Sequence, residues 1–252
     1  MRDLFDINGK KAIVTGASGG IGGAFTEALL DAGVLVAMMD MNSQIPVLNE
    51  KFKGCENAFP IECNLLDRTG REKAFEEAAR KLGGQLDILV NSAGVQKRAL
   101  IEDFTDDMWE FVMEINLNAV FAMTRMAGRY MIPARSGKIV NIASMNSYFG
   151  GTNVPAYASS KGAIVQLTKA TANEWSKFGI NVNAIAPGFI ETSMTRDMKE
   201  NQEVYEYKRG RIPCGRWGTP DDLKGTLLFL CSGASDYLCG VTIPVDGGYL
   251  CK

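Results

Sequence analysis

AIVTGASGGIG, residues 12–22, runs from an apolar stretch through a glycine-rich turn into a helix-like segment. Glycines let the backbone bend sharply and come close to a pyrophosphate. The free N–H groups and partial positive charge of the helix that follows supply an anion site. A phosphate-binding turn between the first strand and the first helix opens a dinucleotide-binding unit. Gly16, Ser18, Gly20 and Gly22 are thereby candidate cofactor contacts.

Outward from this stretch, further apolar runs recur: VLVAMMD from Val34, DILVN from Asp87, KIVNIAS from Lys138, INVNAIAP from Ile180 and VTIPVDGG from Val241. They are continuous rather than alternating, as suits parallel strands covered on both faces. A further short strand is expected near Phe59–Cys63, after a brief helix or turn between Ser43 and Lys53. Helical spacing marks Ile21–Ala32, Arg71–Leu82, one long helix over Asp106–Met131, Tyr157–Trp175, and Asp221–Leu230 behind Pro220. The strand–helix alternation predicts an α/β fold: a Rossmann-like, doubly wound parallel sheet of about seven strands with helices on both faces. No linker or repeat breaks the chain, so residues 1–252 are read as a single domain. Residues 189–218 are polar and weakly periodic, and are expected to form a mobile substrate loop.

Composition narrows the chemistry. The 252 residues contain no histidine, which excludes a Ser-His-Asp triad, a Cys-His nucleophile and any histidine-ligated metal. The six cysteines form no CxxC pair, so no metal site is expected and the thiols are read as reduced and mostly core. With 27 basic and 29 acidic side chains the net charge is −2, which argues against nucleic acid or anionic membrane as partners. No apolar leader or membrane-length run stands out, and a cytoplasmic location is expected.

Two carboxylate and phenol positions carry specific expectations. Asp40 ends the second apolar run, 24 residues after Gly16, where an acid accepts hydrogen bonds from adenosine ribose hydroxyls and repels a 2′-phosphate. Neither Met41 nor Asn42 offers a cation to that phosphate, so NAD is favoured over NADP. Tyr157 and Lys161, at i and i+4, share one helix face. A neighbouring ammonium stabilises phenolate and draws the phenol down from about 10, so the tyrosine can serve as acid or base without histidine. Ser144 ends the strand KIVNIAS, where its hydroxyl can hold a carbonyl or alcohol oxygen.

TGASGGIG from Thr15, NSAG from Asn91, Asn116, the strand-end Ser144, YASSK from Tyr157 and PG at Pro187 stand in the order and spacing of the short-chain dehydrogenase/reductase family, which the chain resembles from Gly9 to Tyr249. The resemblance implies a catalytic tetrad of Asn116, Ser144, Tyr157 and Lys161. In it Tyr157 exchanges the proton, Ser144 polarises the substrate oxygen, Lys161 also binds the nicotinamide ribose, and Asn116 holds a relay water. It further implies cofactor contacts at Ile21, Asn64, Leu65, Asn91, Ala93, Gly94, Pro187, Gly188, Ile190 and Thr192. Two departures are visible: Asn64 replaces a common aspartate beside adenine, and Ser92 replaces the second asparagine of NNAG, which puts a cofactor contact in question at each.

Within the family, VNIASMNSYFGG, RIPCGRWGTPDDL and VDGGYL most resemble sugar-acid dehydrogenases of the gluconate and deoxy-gluconate type. A small sugar-acid substrate follows, with Asn146 and Asn153 joining Ser144 and Tyr157 as substrate contacts. Arg196, Arg209, Arg211 and Arg216 are candidates for a bidentate grip on its carboxylate. A 3-oxoacyl carrier-protein reductase, another short-chain alcohol dehydrogenase and an NAD-responsive binding protein remain alternatives. The resemblance also implies a homotetramer.

Overall fold

The computed structural model describes residues 3–251. Seven parallel strands form one sheet: β1 Lys11–Thr15, β2 Leu35–Asp40, β3 Ala58–Glu62, β4 Ile88–Asn91, β5 Gly137–Ile142, β6 Ile180–Pro187 and β7 Thr242–Val245. Their spatial order is β3-β2-β1-β4-β5-β6-β7, so the chain reverses its direction of travel at β1. Thr15 is in register with Met39 of β2 and Asn91 of β4. The glycine turn, Asp40 and the NSAG loop therefore emerge together at the carboxyl edge, at the switch point where such sheets bind ligands.

The continuous apolar runs become strands because each is walled on both sides. One face of the sheet packs Val14, Val36 and Ile185 against Phe25 and Leu29 of helix α1 (Gly20–Asp31) and against Leu227, which lies on the last long helix. The opposite face packs Ile13, Ala37 and Ile139 against Phe75, Ala78, Met123 and Met126. The remaining helices are α2 Ile45–Lys51, α3 Arg68–Lys81, α4 Asp106–Met113, α5 Ala119–Ala134, α6 Pro155–Trp175, α7 Arg196–Glu200, α8 Gln202–Gly210 and α9 Lys224–Cys231. Asp67 caps α3 by accepting from the N–H groups of Thr69 and Gly70 at 3.1 and 2.9 Å.

The brief element expected between Ser43 and Lys53 as a helix or turn is a helix, α2. Other expectations change. The single helix expected over 106–131 is two, joined by a π turn at Glu114–Asn118. Apolar periodicity runs across the junction and conceals the extra residue that widens the turn. The cysteines are unpaired, but only Cys63 and Cys231 are buried; Cys55, Cys214, Cys239 and Cys251 are exposed, against the expectation of a mostly core set. Cysteine identity alone does not encode the depth of its element.

Residues 189–218 leave the sheet edge and return to one point. Gly218 N–H donates to the Phe189 carbonyl and Glu191 N–H to the Gly218 carbonyl, both at 2.9 Å. Between them lie α7 and α8, so the weakly periodic stretch is substantially helical. Asn201 caps α8 through the Val204 N–H at 3.1 Å, a local signal that a search for long amphipathic periods passes over.

Candidate active site

The glycine turn is shaped by what it excludes. Gly16 has φ +67°, and a Cβ there would lie 2.8 Å from the Cα of Ala93; a Cβ on Gly20 would lie 2.8 Å from Cγ2 of Thr192. Gly22 packs so closely on the Gly16 carbonyl and the Ser92 hydroxyl that no side chain fits. Ile21 is half-buried at the start of α1. The turn is thus a cradle of bare backbone at a helix N-terminus, and it fits the diphosphate of a dinucleotide.

Ser92 has a structural role in this cradle. Its hydroxyl donates to the Thr15 carbonyl, and Thr15 Oγ1 accepts from Ala93 N–H at 3.2 Å. The departure from NNAG therefore ties the β4 loop to β1. Asn91 is 2% exposed and its amide donates to Asn141 Oδ1 at 2.8 Å and Thr124 Oγ1 at 3.3 Å, so its side chain braces β4, β5 and α5.

Asp40 Oδ2 accepts from both the N–H and the hydroxyl of Ser18, at 2.8 and 2.7 Å, and Oδ1 accepts from Met41 N–H at 2.8 Å. The carboxylate is thereby locked beside the glycine turn, with Ser18 as its partner. Asn64 lies past the end of β3, where its side-chain oxygen accepts from Leu66 N–H at 3.0 Å. Leu65 is half-buried against the α3 face of the core. Across the sheet, Pro187 ends β6 and Gly188 passes so near Asp246 that a Cβ would lie 2.7 Å from its Cα. Ile190 is 5% exposed and packs into the core on the α1 side, which leaves its main chain as the group able to meet a cofactor. Thr192 forms a reciprocal cap with Thr195.

The four expected catalytic residues come together from different elements. Ser144 follows β5 and is 6% exposed; its hydroxyl accepts from Asn146 N–H at 3.1 Å. Tyr157 and Lys161 lie on the first turns of α6. Asn116 lies in the π turn with 0% exposure, its Oδ1 accepting from Val95 N–H at 2.8 Å and its Nδ2 donating to the Val95 carbonyl at 2.9 Å and Ser160 Oγ at 3.2 Å. A Cβ on Gly94 would lie 3.6 Å from Asn116 Oδ1 and 3.7 Å from Lys161 Nζ. Asn116, Gly94 and Lys161 therefore enclose one small space at the sheet edge.

The electrostatics differ from the simple phenolate–ammonium expectation. Burial pushes the Tyr157 phenol up, opposed by hydrogen bonding with Ser144. Burial also pushes the Lys161 ammonium down, to about 8. Its Nζ lies 5.7 Å from the Tyr157 ring centroid and donates to the Ile142 carbonyl at 2.6 Å. Desolvation penalises both charged forms and is the leading cause at each group.

Asn146 is half-buried beside Ser144, whereas Asn153 is exposed and held at φ +57°, with its carbonyl accepting from Ala99 N–H at 3.1 Å. Asn153 thus joins the 148–153 turn to the loop after β4. Of the four arginines, Arg216 is bound bidentately to Asp222 at 2.7 and 2.7 Å, and Arg209 to Glu206. Arg211 lies with its guanidinium carbon 4.8 Å from the Tyr249 ring centroid.

Sequence reasoning passed over the hydroxyls that hold this site. Ser147 Oγ accepts from Ser144 N–H at 3.3 Å and donates to the Lys161 carbonyl at 2.7 Å. Ser160 Oγ receives Asn116 and donates to the Tyr157 carbonyl at 2.8 Å. The signal was position: both serines fall within a helical turn of a catalytic candidate. Among the described residues there is no group of three or more potential metal ligands, and no helix is long and apolar enough to cross a membrane.

Residues 16–250 match the family described as Enoyl-(Acyl carrier protein) reductase. The 2-dehydro-3-deoxy-D-gluconate 5-dehydrogenase of Bacillus subtilis is 42% identical, over 100% of this chain and 99% of the relative. The gluconate 5-dehydrogenase of Gluconobacter oxydans is 36% identical, over 98% and 96%. The crystal structure of a gluconate 5-dehydrogenase from Burkholderia cenocepacia, in complex with NADP and tartrate, superposes with a TM-score of 0.94 at 34% identity, covering 99% of this chain and 98% of that one. With a shared fold, full-length similarity and the glycine turn, Ser144, Tyr157 and Lys161 gathered at one sheet edge, the chain belongs to the short-chain dehydrogenase/reductase family of oxidoreductases.

Proposed function

We propose that the protein transfers a hydride between NAD and a secondary alcohol or ketone of a sugar acid of the gluconate or deoxy-gluconate type. The observation that carries this reading is the convergence of a side-chain-free cradle at Gly16 and Gly20 with Ser144, Tyr157 and Lys161 on the carboxyl edge of one sheet. The names of the full-length relatives support the substrate class.

When bound, NAD supplies the hydride acceptor, and its reduced form the donor in the reverse direction. The cradle and the Asp40 carboxylate hold its adenosine half; Ala93, Gly94, Lys161, Pro187, Gly188 and Thr192 border the rest. Ser144 holds the substrate oxygen by hydrogen bonding. Tyr157, as phenolate, takes the proton of the carbinol, and as phenol returns one to the ketone oxygen. Asn116 positions Val95 and Ser160, and through Ser160 the main chain at Tyr157. The 189–218 excursion covers the substrate. Because burial raises the phenol, alcohol oxidation increases from neutral to alkaline pH while ketone reduction declines; a rate of oxidation that falls over that range would refute the role of Tyr157.

The preference for NAD rests on Asp40, which Ser18 holds where a 2′-phosphate would meet a negative charge. The Burkholderia enzyme was crystallised with NADP, which makes this the sharpest point to measure. The assay is reduction of NAD and of NADP across gluconate, 2-deoxy-gluconate and neutral alcohols, with their keto derivatives in reverse. Turnover of neutral alcohols alone would overturn the sugar-acid assignment. A homotetramer is proposed as well, supported by Trp109 and Phe121, which leave 40% and 52% of their surface exposed on α4 and α5; light scattering measures it.

A further inference from the structure

Of the six cations within residues 189–218, three are ion-paired and Arg196, Lys208 and Arg211 are not, among the described residues. Lys199 pairs with Glu191, Arg209 with Glu206 and Arg216 with Asp222. Lys208 and Arg211 differ from Arg196 in each lying over an aromatic ring. The Lys208 Nζ lies 5.5 Å from the Phe189 ring centroid and the Arg211 guanidinium carbon 4.8 Å from that of Tyr249. Among the described residues neither has a carboxylate partner. Phe189 and Tyr249 themselves meet edge to face, with centroids 5.4 Å apart. Two cations thus rest on the two rings of one aromatic pair, which steadies their side chains without cancelling their charge.

The location of that pair ties it to the reaction. Phe189 follows Gly188 at the end of β6, and its cluster includes Met145, the residue next to Ser144, together with Ile212, Trp217 and Tyr249. The same cluster holds an unclaimed donor: Trp217 is 2% exposed and its Nε1 has no acceptor. Its ring lies 5.1 Å from that of Phe189. A buried N–H without a partner is costly, and one that shares Phe189 with an unneutralised cation suits an acceptor that also carries negative charge.

We propose that Lys208 and Arg211, with Trp217 Nε1 in the same aromatic cluster, form the subsite that receives the carboxylate of the substrate while Ser144 and Tyr157 hold its carbinol. This inference rests on the sugar-acid reading above. A carboxylate matches the subsite because it brings only acceptors and a negative charge; a neutral hydroxymethyl end brings neither in full. It also assigns α8 a task, since Lys208 lies in its last turn and Arg211 directly follows it.

The test is the ratio of kcat/KM for gluconate to that for the polyol in which the carboxylate is replaced by a hydroxymethyl group, at saturating cofactor. In Lys208→Met and Arg211→Met this ratio falls by about tenfold or more, the size of a lost charge-assisted contact, and further in the double variant. Arg211→Lys retains part of the ratio, and Trp217→Phe lowers it less. Arg211 is exposed and Lys208 half-buried, and cofactor affinity measured by fluorescence confirms that each variant is folded. A double variant whose ratio stays within about twofold of the wild type overturns the subsite and leaves the sugar-acid reading standing. A wild type with no preference for the acid overturns both.

Discussion

The glycine turn and the 189–218 excursion rise from the same edge of the sheet, yet they are held in opposite ways. The turn is fixed by backbone packed on backbone: Gly16 against Ala93, Gly22 against the Gly16 carbonyl, Ser92 against Thr15. The excursion is clipped at its base by the Phe189–Gly218 and Glu191–Gly218 hydrogen bonds, while α7 and α8 contain no buried residue. In the proposed reaction the cofactor's place is thus set by positions that accept no side chain. The proposed selective part consists of side chains on a segment that can change without disturbing the strands. Local stability follows the same division, since few buried apolar contacts mean low resistance to local opening.

Tyr157→Phe is expected to give the largest effect, because it removes the proton carrier of the proposed reaction, which both regions serve. Turnover falls by about 10²- to 10⁴-fold, while cofactor affinity, followed by fluorescence titration, changes little. Residual activity near the wild-type rate would separate the two regions from any shared chemistry. Next comes a paired glycine test. Gly16→Ala forces a side chain into a left-handed backbone and towards Ala93, so it lowers the melting temperature and weakens cofactor binding by more than the roughly 1–2 kcal/mol of the backbone strain alone. Gly210→Ala in α8 meets open space, and is expected to be neutral or to stabilise by up to about 1 kcal/mol. Equal losses at the two sites would erase the contrast.

Asp40→Ala tests the turn from its ligand side. Removing the carboxylate relaxes the NAD over NADP ratio of kcat/KM by about tenfold or more, and an unchanged ratio would assign cofactor choice elsewhere. The smallest effect lies where the excursion rejoins the core. Hydrogen bonding and charge from Arg216, with the Thr219 N–H, hold the Asp222 carboxyl well below the usual carboxylate range. A depressed carboxyl contributes stability above the unfolded value of about 4, and that contribution is lost as pH falls towards the folded value. Asp222→Asn therefore lowers the melting temperature slightly at pH 7, and the gap to wild type narrows in acid. A gap that widens in acid would show that the pair is not what secures this junction.

Much of the fold was legible because its signals are local and redundant. A parallel strand covered on both faces suits a continuous apolar run, and each of the six such runs contains a strand, with β3 falling at the short strand expected near Phe59–Cys63. The glycine turn was legible for a steric reason, since no other residue fits. The π turn was not, because the apolar stripe of α4 continues into α5 and the extra residue adds no distinctive side chain. The charge balance at Tyr157 and Lys161 was also hidden: spacing places them on one face, but only their burial in the fold shows the desolvation that pushes the phenol up and the ammonium down. Among the arginines, Arg216 and Asp222 stand six positions apart across a turn, a spacing that no regular periodicity links. Arg211 and Tyr249 meet only because the end of the chain returns past the excursion.

The wide turn at Glu114–Asn118 has a bearing on which insertions and deletions the chain can absorb. A π turn holds one residue more than a regular turn, so losing one of these five closes it to an α-helical turn and leaves α4 and α5 in register. Met123, Met126 and Ala127 then keep facing the strands they cover, whereas the Asn116 side chain loses the position from which it meets Val95. The lining of the sheet thus absorbs a one-codon deletion here that one corner of the candidate active site does not.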